Sequence, residues 1–139
     1  MAIFSNSEEV YNFFSRFLAR LGSHSEAGPA LRNSGLVLLF RLTEPEAAVT
    51  VDTRSTINPE SRCPAYFFKD TGPEPDLTLE MTAASLDELW SGRKDIFAAM
   101  LSGKVKLTGN IAKASRLLPL LKAIPPLYAE TWAELESTK

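Results

Sequence analysis

Apolar and polar positions change their period several times along this chain, and each change predicts an element. Val10, Phe14, Phe17, Leu18 and Leu21 recur at helical spacing, with Asn12, Arg16 and Arg20 opposite and Tyr11 and Phe13 widening the stripe. Ser5 and Glu8 have capping-box spacing, so this helix is expected to begin near Asn6 and to stop at Gly22. Residues 23–29 read as a polar connector, and 30–33 as a helical turn ending at Gly35. Residues 36–42 are almost continuously apolar, as in a strand covered on both faces. Residues 47–52 alternate, and Glu44, Pro45 and Glu46 supply a hairpin turn between the two. Residues 53–64 read as a loop, 65–69 as a third strand, and 76–82 as a fourth with Leu77, Leu79 and Met81 on one face. Short connections between the four predict an antiparallel meander.

The second half is denser in apolar positions and in glycine-marked turns. Ser85 and Glu88 repeat the capping-box spacing at a short helix (85–90), followed by a second (95–101), a strand (104–108) and a longer helix (111–121). The helical crossover is long enough to allow the fourth and fifth strands to pair in parallel. The helix from Ile111 has two apolar rows, Ile111, Ala114, Leu118 and Leu121 beside Leu117, Leu120 and Ile124. That pattern suits burial on more than one side or the lining of a cavity. Pro119 is expected to kink it, and Pro125 and Pro126 to end it. Tyr128, Trp132 and Leu135 share a face of a last amphipathic segment (127–135), read as a lid. Residues 75–121 therefore read as one wall of a container for an apolar ligand. Phe14 and Phe17 of the first helix and Trp132 of the last are further candidates for contact with it.

Composition narrows the class without changing this picture. A chain of 139 residues, 45% hydrophobic and 23% charged, fits one globular domain over its whole length (1–139). No apolar run reaches the roughly 18 residues of a membrane span, and the N-terminus lacks the pattern of a secretory signal, so a cytoplasmic protein is expected. The one cysteine, Cys63, cannot form an internal disulfide, and with the single His24 it argues against a dedicated zinc site; no cofactor is expected. No G-x-S-x-G elbow, Walker A loop or G-x-G-x-x-G is present. Asp52, Asp70, Asp76 and Glu80 are the carboxylates that could converge on a sheet edge as an acid/base pair, although surface and turn roles suffice for them. Charge is unevenly spread: residues 93–122 carry +6, leaving −8 for the rest. Lys104, Lys106, Lys113 and Arg116 are the candidates for docking to an anionic membrane. Aromatics do not interleave with these cations, which argues against nucleic-acid binding.

The most specific stretch is Gly103-Lys104-Val105-Lys106-Leu107-Thr108-Gly109-Asn110, with Gly92 upstream. Together with Asp-Leu-Thr-Leu-Glu-Met-Thr (76–82), Ser-Leu-Asp-Glu-Leu-Trp-Ser-Gly (85–92) and Ala-Ser-Arg-Leu-Leu-Pro-Leu-Leu (114–121), it resembles the sterol carrier protein 2 family of lipid-binding domains. The resemblance implies an α+β domain: a five-stranded, mostly antiparallel sheet covered on one face by helices, with an apolar tunnel between them. It also implies that Met81, Leu89, Phe97, Met100, Leu101, Leu107, Ile111, Ala114 and Leu118 fall in elements bordering that tunnel. The chain ends Glu-Ser-Thr-Lys, without the Ser-Lys-Leu type of peroxisomal address of eukaryotic members, which points to a bacterial-style cytosolic protein and away from sterol. The function expected is non-catalytic binding and transfer or presentation of a fatty acyl, isoprenoid, quinone-like or sterol-like lipid. The alternative is an accessory or interaction module of a larger enzyme or biosynthetic complex, with a protein partner or a homodimer and no lipid of its own. A small-molecule enzyme ranks third and would require a carboxylate in the pocket.

Overall fold

The computed structural model describes residues 4–137. The first helix, α1 (Ser7–Ser23), is capped one residue later than the sequence spacing suggests. The Asn6 side chain accepts the Glu9 amide at 3.0 Å, while the Glu9 carboxylate accepts the Ser5 amide at 2.7 Å. Gly22 lies one residue before the end of α1. It lies buried inside the helix, where an added Cβ would stand 2.2 Å from the Arg62 carbonyl oxygen, so its lack of a side chain admits another segment's backbone. The supposed connector is largely helical: α2 (Ala27–Ser34) follows at once and ends at Gly35 in the left-handed conformation. Gly28 in turn approaches the Gly22 carbonyl at a distance that no Cβ tolerates. Replacing Gly22 by alanine, which in an exposed helix would stabilise by roughly 1 kcal/mol, is therefore expected to destabilise by about 1–3 kcal/mol in urea unfolding, because the obstacle is main chain and cannot rotate away.

Five strands follow the expected positions in outline: β1 (Val37–Thr43), β2 (Ala47–Thr56), β3 (Pro64–Phe68), β4 (Leu77–Thr82) and β5 (Lys106–Gly109). Their order is β3-β2-β1-β4-β5, and three of the four pairings are antiparallel. The meander is thus corrected, because β4 lies beside β1 and parallel to it. Residues 69–76 carry the chain across the back of the sheet, where Gly72 packs against Thr50 and Phe67. Eight extended residues reach at most about 28 Å, enough to cross three strand spacings and return along a short strand. Pro73 and Pro75 favour that extended path. The β4–β5 pairing is antiparallel rather than parallel, with Leu79 opposite Leu107 and Leu77 opposite Gly109. At Gly109 (φ +105°) a Cβ would meet the Asp76 carbonyl oxygen at 2.3 Å.

Between β4 and β5 run α3 (Ala83–Trp90) and α4 (Ile96–Leu101). Thr82, not Ser85, caps α3 by accepting the Ser85 amide, and Asp95 caps α4 by accepting the Ala98 amide. The segment Ile111–Leu120 is a 3-10 helix, and α5 (Ile124–Ser137) follows it. Pro125 and Pro126 begin α5 rather than terminate its predecessor, in the first turn where missing amides cost nothing. Nor is α5 a lid. Leu127, Tyr128, Thr131 and Leu135 are buried, and Glu134 pairs with both Arg16 and Arg20 of α1. Its aromatics join a cluster centred on Phe13, whose ring lies 5.3–6.4 Å from those of Phe4, Phe14, Phe17, Trp90, Tyr128 and Trp132.

Candidate functional site: an apolar cavity between sheet and helices

The front of the sheet supplies the floor. Register places Val51, Leu38 and Leu77 in one row across β2, β1 and β4, and Phe40, Leu79 and Leu107 in the next across β1, β4 and β5. Above them α1 contributes Phe17, Leu18 and Leu21, and α3 and α4 contribute Trp90, Ile96, Phe97 and Met100. The enclosed space is about 380 Å³, within the roughly 300–1,000 Å³ of small-ligand pockets. Among the described residues no charged side chain lines it, and the only side-chain N or O atoms on its walls belong to Ser115 and to the indole of Trp90. Phe17 and Trp90 stack 4.7 Å apart, backed by the Phe13 cluster, which makes that wall rigid.

The 3-10 helix forms the remaining wall, and its period explains its composition. With three residues per turn, side chains at i and i+3 eclipse. Ile111, Ala114, Leu117 and Leu120 make one edge; Ser115, Leu118 and Leu121 make the next; all seven line the cavity. Lys113, Arg116 and Pro119 fall on the third edge, facing away. Runs of 3-10 helix this long are uncommon, and the sequence carried a signal for it in the spacing of Lys113, Arg116 and Pro119, which an α-helical period misreads. Asp76 anchors the start of this segment. Its carboxylate accepts the Val37 amide at 2.8 Å and lies 3.9 Å from the Lys113 ammonium, and its carbonyl accepts the Asn110 amide at 2.8 Å.

Of the tunnel candidates, Phe17, Phe97, Met100, Leu107, Ile111, Ala114 and Leu118 line the cavity, and five do not. Phe14 sits one layer behind, 5.5 Å from Trp90 and 5.6 Å from Phe40. Met81 is core beyond the Phe40–Leu79 row, Leu89 packs on the core's margin, and Trp132 stacks on Phe4 and Phe13. Leu101 is 91% exposed and points to solvent. Sequence reasoning missed the floor, Leu38, Phe40, Val51, Leu77 and Leu79, because alternation identifies a strand's apolar face without showing whether that face meets packing or space.

The basic candidates separate as well. Arg116 donates to the Ser34 carbonyl at 3.1 Å, Lys113 faces Asp76, and Lys106 is the register partner of Glu80, on the back of the sheet. Lys104 is exposed in the turn after α4. Of the carboxylates, Asp70 and Glu80 line one hollow on the back of the sheet with Glu74 and Arg41, while Asp52 and Asp76 do not line it. Arg54 bonds Asp52 and holds its carboxyl below the usual range, Arg41 binds Asp70 at 2.9 Å, and Asp76 has the partners given above. Burial pushes the Cys63 thiol up to about 11, so it is protonated at neutral pH. His24 is not a free linker imidazole: its Nδ1 accepts the Glu26 and Ala27 amides at the start of α2. Among the described residues no group of three or more His, Cys, Asp or Glu is placed to hold a metal ion, and no helix is long and apolar enough to cross a membrane.

Comparison with known proteins agrees with this architecture. The sterol carrier protein domain 2 of Helicoverpa armigera superposes with a TM-score of 0.68 at 16% identity, covering 91% of this chain and 95% of that one. Sterol carrier protein 2 from Yarrowia lipolytica gives 0.62 at 16% identity, with 89% and 97% covered. UbiJ-SCP2, a ubiquinone synthesis protein, gives 0.56 at 18% identity, with 85% and 89% covered. No curated protein matches by sequence. The profile of the SCP-2 sterol transfer family matches residues 14–122, from the middle of α1 past the end of the 3-10 helix, and the chain belongs to that family.

Proposed function

We propose that this protein takes up a hydrophobic lipid in the cavity and transfers or presents it without altering it chemically. The observation that carries this reading is a 380 Å³ space with no charged side chain on its walls among the described residues, opening among exposed apolar residues of α4 and the 3-10 helix. Such walls reward hydrocarbon burial. About 25 cal/mol per Å² over a few hundred Å² of ligand gives on the order of 10 kcal/mol gross, from which the cost of immobilisation is subtracted. They offer no acid, base or nucleophile to a bound molecule. The cavity's modest size favours one acyl or isoprenoid chain with its polar head at the mouth. Native mass spectrometry of freshly purified protein is expected to show a co-purifying lipid, or, after delipidation, uptake of a single fatty acid. Failure of both overturns the reading. The fold shared with a ubiquinone synthesis protein supports a second reading, an accessory module within a biosynthetic complex; a stable protein partner bound to a persistently empty cavity would establish it instead.

A further inference from the structure

The hollow on the back of the sheet, about 370 Å³ in volume, shares no lining residue with the apolar cavity. Its floor is one row of the register, Thr50, Leu39, Thr78 and Thr108 across β2, β1, β4 and β5, joined by Arg41 and Glu80 from the next row. Its rim is the crossing segment between β3 and β4. Main-chain hydrogen bonds tie that segment down at both ends, from the Lys69 amide to Ala48 at 2.9 Å and from the Asp76 amide to Val37 at 2.8 Å. Gly72 lets it rest on Thr50 and Phe67, and Pro73 and Pro75 hold the rest extended beside the strands.

Unmet bonding capacity sets this hollow apart. Thr50 is only 3% exposed and Gly72 packs on its Cβ and methyl, yet its hydroxyl has no hydrogen-bond partner among the described residues. Buried hydroxyls are almost always bonded, so an orphan on the floor of a hollow marks a place for a guest. The Thr78 and Thr108 hydroxyls in the same row are likewise unengaged. Glu74 and Glu80 have neither an ion pair nor a side-chain hydrogen bond among the described residues, although Lys106 is the register partner of Glu80. Asp70 and Arg41 satisfy each other at 2.9 Å, which neutralises the one cation on the walls.

Free carboxylates beside hydroxyl oxygens call for a cation that donates several hydrogen bonds. A metal ion does not fit, since among the described residues no three such ligands stand close enough to share one. Negative charge spread along a hollow suits positive centres spaced along a chain. Leu39, Pro73 and Pro75 offer apolar surface to the methylenes between them. We infer that this hollow binds a small aliphatic di- or polyamine, with ammonium groups on Glu74 and Glu80 and an N–H donated to the Thr50 hydroxyl. The inference is independent of the lipid-carrying reading, because the two sites lie on opposite faces of the sheet.

The test is an NMR titration of the isotope-labelled full chain with spermidine and putrescine, with affinities from titration calorimetry. Saturable one-site binding is expected, with shifts concentrated at the amides of Thr50, Thr78 and Glu74 and with affinity falling as salt is added. Butylamine, with a single ammonium group, is expected to bind at least severalfold more weakly. Glu80→Gln is expected to weaken spermidine binding about fivefold or more, and Thr50→Val severalfold. Thr50→Val removes the orphan hydroxyl, so its melting temperature should hold or rise, which separates lost binding from lost fold. Glu26→Gln removes the same charge from an exposed position before α2, on the helix-covered side, and is expected to change nothing. Absence of saturable binding, shifts clustered elsewhere, or equal losses in Glu26→Gln and Glu80→Gln overturns the inference. So does magnesium ion or butylamine binding as tightly as spermidine, since either would show that spaced ammonium groups are not what the hollow reads.

Discussion

Phe13→Ala is expected to lower the unfolding free energy by about 3–5 kcal/mol, the range for deleting a fully buried phenylalanine ring and leaving a space that its neighbours only partly fill. Phe13 has no solvent exposure and touches six other aromatic rings, drawn from the segment before α1, from α1 itself, from α3 and from α5. Against a total stability of roughly 5–15 kcal/mol, this is a large fraction. The measurement is urea unfolding, where the midpoint should drop with an unchanged slope. Phe13→Leu, which keeps most of the volume, should cost well under half as much. A loss below about 1 kcal/mol for the alanine variant would show that the aromatic cluster is not the organising core. Phe13 does not line the cavity, so folded Phe13→Ala protein should retain lipid uptake.

The second expectation concerns function with stability held constant. Leu79→Trp places a large ring on β4, in the central row of the floor between Phe40 and Leu107. A strand hydrogen-bonded on both sides cannot retreat, and an aromatic residue suits a strand, so the ring is expected to occupy the cavity. Co-purifying lipid should disappear and affinity for a fluorescent fatty acid fall at least tenfold, while the melting temperature of the empty protein stays the same or rises as void is filled. Delipidated wild type, by contrast, should gain stability when ligand is added: about 2.7 kcal/mol at a hundredfold excess over Kd. Undiminished binding by a folded Leu79→Trp variant would place the lipid elsewhere. Leu107→Trp, on the adjacent edge strand, provides a second test if the first variant folds poorly.

How much of this was legible in the residues depended on how local the signal was. The α1 stripe, the hairpin at Glu44-Pro45 and the alternation of β4 come from neighbours a few positions apart, and they appear where the pattern put them. Local rules failed where a distant segment intervened. Gly22 carries the signature of a helix stop and lies one residue before the end of α1, but what demands glycine there is the backbone of Arg62 packed against it. Trp132, Tyr128 and Leu135 read as the apolar face of a lid, but the face closes on Phe13 and Phe4 at the core. The helix expected from Ile111 is present but of the 3-10 type, because Lys113, Arg116 and Pro119, the residues that stay off the cavity, repeat every three.

The sequence by itself determined most of the element types, the family and the apolar character of residues 75–121, because periodicity, glycine turns and composition act over short ranges. Only the tertiary structure decided the strand order, since a proline-rich crossing of eight residues takes β4 past β2 to the far side of β1. It alone decided which apolar side chains face space rather than packing, and which of the cations find a partner. Those are properties of what stands opposite a side chain in three dimensions, and neither hydropathy nor spacing along the chain contains that information.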